Sequence, residues 1–182
     1  METLVHNIGQ LWLSVPGDKA LGGIEMADLQ PIPNAWFRFK DGIIREIGAG
    51  ELPESLMGEL RVDAEGGIVM PGFCDSHTHL IFADWRPEEF LQKIKGFSYA
   101  EIAEAGGGIL NSAKKVERAS ESELLARAKE RLLEVVRYGT AAIEIKSGYG
   151  LSLQAELKMM RVIAALKEWA PIPVKATLLG AH

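Results

Sequence analysis

The sharpest local pattern lies in residues 35–50, AWFRFKDGIIREIGAG. Trp36, Arg38 and Lys40 alternate with Phe37 and Phe39, which is the two-residue period of a strand. Asp41-Gly42 supplies a turn signal, and IIREIG resumes an extended run, so the stretch predicts a hairpin. LRVDAEGGIVMPGF predicts another strand, a turn at Glu65-Gly66-Gly67 and a new apolar strand. Small hairpins are expected up to about Met70, with a short turn at LPESLMGEL as the exception.

After residue 70 the period changes. GGIVMPGFCDSHTHL reads as a buried strand. SYAEIAEAGGG opens a helix with a capping box, Ser98 and Glu101, and ends it at three glycines. In SESELLARAKERLLEVVRYG a second capping box, Ser120 and Glu123, precedes one apolar stripe. That stripe runs Leu124, Leu125, Ala128, Leu132, Val135 and Val136, and Gly139 stops it. TAAIEIKSGYG is then a short strand. LQAELKMMRVIAALKEW is a helix stopped by Pro171 and Pro173, and VKATLLGAH is a third apolar strand. Residues 66–182 therefore alternate β, α, β, α, β, which predicts parallel strands in an open sheet or a β/α barrel. A boundary near residue 65 divides a hairpin region, 1–65, from a β/α region, 66–182.

Composition narrows the function classes. A chain of 182 residues, 47% hydrophobic and 25% charged, has the profile of a soluble globular protein. The net charge of −5 argues against nucleic acid or anionic membrane as the main partner. Cys74 stands alone, so no internal disulfide framework exists and a reducing, cytoplasmic setting fits. No secretory pattern opens the chain, and no stretch reaches the ~18–20 apolar residues of a membrane span.

The candidate chemistry sits at strand ends. Residues i and i+2 of a strand share a side, so His77 and His79 can present two imidazoles to one metal ion. Spacing alone leaves two ordinary strand histidines equally open. The place of the pair, at the C-terminal end of the first β of a β/α series, favours the metal. His182 and Tyr149 lie at the corresponding ends of later strands, although Tyr149 also reads as a surface loop tyrosine. Arg86 suits bidentate capture of a substrate carboxylate, or else pairs with Glu88 or Glu89. Glu144 and Lys146 share a strand face and read as a mutual pair. Gly106-Gly107-Gly108 lacks a phosphate-loop context and reads as a helix stop. Cys74 reads as a small core residue.

MPGFCDSHTHL resembles the first barrel strand of the amidohydrolase superfamily. Together with EAGGGI, EIKSGYGL, ELKMMRV and LLGAH, it resembles the imidazolonepropionase family in particular. The resemblance implies a partial (β/α)8 barrel, its first three strands, preceded by a small β-sandwich segment. It implies His77 and His79 as metal ligands for one zinc or iron ion, and Arg86, Tyr99, Tyr149 and His182 as substrate contacts. The implied reaction is hydrolysis of the cyclic amide C–N bond of 4-imidazolone-5-propanoate, giving N-formimidoyl-L-glutamate in histidine degradation. A homodimer is the default assembly.

The family's third histidine ligand, its general acid/base glutamate and its metal aspartate are not found in these residues, and are expected beyond residue 182. The 182-residue chain alone is accordingly expected to be inactive. Its rivals are an amidohydrolase for another cyclic amide or aminated base, and a non-catalytic module.

Overall fold

A computed structural model describes residues 2–13, 21–27, 29–56 and 60–180. The chain splits into two compact units, Met1–Pro71 and Gly72–His182.

The first unit is a five-stranded sheet built on β1 (Glu2–Leu11). On one side β1 pairs antiparallel with β2 (Ile32–Lys40), which continues through the Asp41-Gly42 turn into antiparallel β3 (Ile43–Ala49). That hairpin is the one the alternation predicts. On its other side β1 pairs with β4 (Leu60–Asp63) and β5 (Ile68–Val69), both parallel to it. The expected hairpin at Glu65-Gly66-Gly67 is therefore corrected. The turn exists, but it is a bulge between two strands lying end to end along β1.

Local chemistry explains the bulge. Asp63 Oδ1 accepts from Asn7 Nδ2 at 2.7 Å and from the Glu65 amide at 2.8 Å. Asn7, Glu65 and Gly66 all adopt positive φ, so two kinked segments match each other across the sheet. Leu4, Trp36 and Leu56 form one small core, and Ile8, Leu11 and Ala35 another. A short 3-10 turn at Glu54–Leu56 occupies part of the expected LPESLMGEL turn, whose residues 57–59 lie outside the described ones.

The second unit carries a parallel sheet in the order β6 (Phe73–Thr78), β7 (Thr140–Lys146), β8 (Val174–Thr177). The single buried strand expected over residues 66–80 is thus corrected. Pro71, which has no amide hydrogen, falls between β5 of the first sheet and β6 of the second. β6 is also exposed rather than buried, because among the described residues it has one hydrogen-bonded neighbour, β7. Cys74 on β6 is exposed for the same reason and is not a core residue.

Between β6 and β7 run four helices where two were expected. They are α1 (Pro87–Ile94), α2 (Tyr99–Glu104), α3 (Gly108–Arg118) and α4 (Glu121–Arg137). The three glycines end α2 and also start α3. Gly106 and Gly108 have φ of 87° and 75°, and Gly107 is the N-cap of α3. α5 (Leu153–Trp169) links β7 to β8. Leu124, Ala128 and Leu132 of α4 meet Met159 and Ile163 of α5 over Ile145 of β7 in the main core. Lys158 of α5 donates to the carbonyls of Glu117 and Ala119 at 2.8 and 2.9 Å, which satisfies the C-terminal end of α3.

Both capping boxes form. In α4, Ser120 Oγ accepts from the Glu123 amide at 3.2 Å, and the Ser120 amide donates to Glu123 Oε2 at 2.8 Å. Ser120→Ala is expected to lower stability by about 1 kcal/mol, the usual cost of losing an N-cap hydroxyl, read as a lower midpoint in urea. An unchanged midpoint would show that α4 is held by its packed face alone.

Candidate metal centre and active site

β6 delivers its histidines through an irregular ladder. Between Asp75↔Ile143 and Thr78↔Ile145 it advances three residues while β7 advances two. The extra residue bends the strand at Ser76-His77. Asp75 Oδ1 accepts from the His77 amide at 3.2 Å, and Thr78 Oγ1 donates to the Glu144 carbonyl at 2.7 Å, which anchors the bend. The rings of His77 and His79 then stand 5.6 Å apart between centroids, tilted by 59°. A ring nitrogen about 2 Å from an ion puts its centroid about 3 Å from it, so two rings at this spacing can face one ion.

Tyr149 meets His79 edge-on, with centroids 4.9 Å apart. The same two residues line a cavity of about 190 Å³ together with Arg86, Phe82, Trp85 and Ser112. The structure therefore gathers His79, Tyr149 and Arg86 at one place, with His77 beside His79. Tyr99 is exposed at the start of α2 and does not line this cavity. His182 lies outside the described residues. Glu144 and Lys146 form an ion pair, and Thr177 Oγ1 also donates to Glu144 at 2.7 Å. Lys146 and then Thr177 hold the Glu144 carboxyl below its ordinary pKa, so it stays anionic beside His77.

Arg86 is the residue before α1, and one of its nitrogens reaches Glu89 at 3.3 Å. A guanidinium has five donors, so a single contact leaves capacity for a bound carboxylate. Two residues that sequence reasoning missed set the surroundings. Arg131 of α4 donates from one nitrogen to the carbonyls of Leu80 and Phe82 at 3.1 and 2.7 Å, and lies 3.4 Å over the Phe82 ring. Burial lowers its pKa to about 10, which still leaves it cationic at neutral pH. It thereby fixes the segment between His79 and Arg86.

Glu156 of α5 is the other. It is 7% exposed, and its carboxylate accepts from the amides of Gly148, Gly150 and Leu151 at 2.7, 2.6 and 3.1 Å. Burial alone would raise its pKa, but Ser147, Gly150, Leu151 and Gly148 together hold it below the ordinary carboxylate range. The glycines are required here. Gly148 has a φ of 116°, and a Cβ on Gly150 would fall 2.6 Å from the Glu156 amide nitrogen.

No family model matches the chain. Curated relatives do. The chain is 48% identical over 183 residues to the imidazolonepropionase of Flavobacterium johnsoniae, and 47% identical over 184 residues to that of Christiangramia forsetii. Each alignment covers 100% of this chain and 44% of the relative, so the chain spans less than half the length of the curated relatives it matches. Among solved structures, a triazine hydrolase variant superimposes with a TM-score of 0.63 at 16% identity, over 97% of this chain and 35% of that one. An amidohydrolase superimposes with a TM-score of 0.55 at 15% identity, over 98% of this chain and 32% of that one. At such identities these two establish the fold and nothing more. By sequence the chain corresponds to the N-terminal part of imidazolonepropionases, and by fold to a partial amidohydrolase barrel.

Proposed function

We propose that the chain belongs to a metal-dependent hydrolase that opens the cyclic amide of 4-imidazolone-5-propanoate to N-formimidoyl-L-glutamate. The observation that carries this reading is the gathering of His79, Tyr149 and Arg86 around one cavity, in a chain similar to imidazolonepropionases along its whole length.

His77 and His79 would hold the ion, and their ring spacing fits that role. Imidazole ligands suit zinc and iron alike. When bound, the ion supplies Lewis acidity and makes water nucleophilic near neutral pH. Two imidazoles make half of a four-coordinate site, and among the described residues no group of three or more His, Cys, Asp and Glu can hold a metal. The chain's own residues bind and orient the substrate. Arg86 exchanges Glu89 for the propionate carboxylate. The Tyr149 hydroxyl donates to the ring carbonyl oxygen as charge develops there, in the manner of an oxyanion hole. His182 and Tyr99 remain proposed substrate contacts on the resemblance alone, Tyr99 from outside the wall of this cavity. Water adds across the C–N bond, with its oxygen going to carbon and a proton to the departing nitrogen. We place the protein in the cytoplasm, in keeping with its lone cysteine, as a homodimer.

The test is turnover of 4-imidazolone-5-propanoate by the complete gene product, with formimidoylglutamate identified by mass spectrometry. Arg86→Ala is expected to raise KM for this substrate about tenfold to thirtyfold with kcat nearly unchanged, since the clamp binds ground and transition states alike. An unchanged KM would remove Arg86 from the site. Equal turnover of a cyclic amide lacking the propionate would point to another amidohydrolase substrate.

A further inference from the structure

The loop after β7 is Ser147-Gly148-Tyr149-Gly150-Leu151, and it carries a tyrosine that touches a candidate metal ligand. Two glycines around Tyr149 give this backbone wide conformational freedom. A hydroxyl that is to meet a reacting oxygen must be held to a fraction of an ångström. Something has to remove that freedom.

Glu156 lies under the loop on the first turn of α5. Its Oε2 accepts from Gly148, and its Oε1 from both Gly150 and Leu151, so the three bonds bracket Tyr149 on either side. Ser147 is fully buried, and its Oγ accepts from the Leu179 amide at 3.0 Å while its own amide donates to the Thr177 carbonyl at 3.0 Å. Ser147 thus joins the loop after β7 to β8 and the segment after it. The N-terminal end of a helix is also where an anion is favoured.

We propose that Glu156 is a positioning residue of this site: its buried carboxylate locks the loop after β7 so that Tyr149 stands edge-on to His79. The lock stands on geometry alone, and its consequence for turnover rests on the reaction proposed above. Glutamine in place of Glu156 has the same size. It keeps one carbonyl oxygen and turns an NH2 group toward an amide N–H, so at least one bracket of the lock is lost.

Amide hydrogen exchange on this chain tests the lock. Glu156→Gln is expected to speed exchange at Gly148, Gly150 and Leu151 at least tenfold, while Leu124 to Leu132 of α4 stay protected. Ser147→Ala, the milder change, is expected to release Leu179 and leave Gly150 protected, which keeps the test open should Glu156→Gln not fold. Unchanged exchange at these amides overturns the proposal. Turnover by the complete gene product supplies a readout that a merely structural role would not move. Glu156→Gln and Tyr149→Phe are each expected to lower kcat at least tenfold, and the double variant should fall no more than about threefold below the worse single one. Fully multiplicative losses overturn the action through Tyr149. If Tyr149→Phe leaves kcat intact while the exchange pattern changes as expected, the lock holds and the catalytic reading of Tyr149 fails.

Discussion

Replacing His77 with alanine in the complete gene product is expected to reduce bound metal to near zero and turnover by on the order of 1,000-fold or more. Groups that merely support a metal ligand already cost about 10- to 100-fold when removed, and a direct ligand costs more. His77 is the cleaner of the two histidines to change. It is exposed on β6, so its loss leaves no cavity, and the urea midpoint should hold. His79 is half-buried and packs on Tyr149, so His79→Ala should remove the metal and also loosen the loop after β7. Elemental analysis beside a turnover assay reads both effects. Full metal content and full activity in His77→Ala would sink the assignment of this strand end as a metal centre.

This contrast between the two histidines was not visible in the chain as text. The i, i+2 spacing placed both imidazoles on one side of a strand, and the ring separation of 5.6 Å agrees with that. What spacing hides is the bulge at Ser76-His77, since it depends on the register against β7 some seventy residues later. The same division between local and distant information runs through the fold. α4 was legible from a stripe, a cap and a stop, and α5 from its proline stop, all of them local signals. The Asp41-Gly42 hairpin was legible for the same reason.

β1, by contrast, is the centre of its sheet only because distant segments choose it, and a Gly-Gly turn looks alike whether it reverses the chain or bulges. α1 was missed although Pro87 at its first turn, followed by Glu88 and Glu89, is a start signal. It buries no residue, so it shows no stripe against a core. At the candidate site, His77, His79 and Arg86 were singled out by residue type and position. Glu156 and Arg131 were not, because each is a charged residue on an otherwise ordinary amphipathic helix. Their partners are backbone groups of loops, and a backbone amide or carbonyl leaves no mark in a sequence.

Arg131 is where that hidden information has its largest energetic consequence. Arg131→Met is expected to destabilise the second unit by roughly 3 kcal/mol. Methionine fills much of the same volume and removes a partly buried charge, and relief from desolvation works in favour of the variant. Against this, the carbonyls of Leu80 and Phe82 both lose their donor, and each buried acceptor left unmet costs about 1–3 kcal/mol. The stack on Phe82 adds about 0.5–2 kcal/mol more. Two lost acceptors and one lost stack outweigh the relief of a guanidinium that stays charged at neutral pH. Arg131→Lys should lie between, because a single ammonium is a compact point charge that cannot both bridge two carbonyls and lie flat on a ring. Urea unfolding followed by tryptophan emission would read the change, since Trp85 packs edge-on against Phe82. The loss should also reach the site, because the segment that Arg131 holds runs from His79 to Arg86. Weaker metal retention and a raised KM are expected in the complete gene product before global unfolding begins. A variant as stable as the parent, with unchanged metal content, would mean that the Leu80–Arg86 segment is held by its packing and not by this cation.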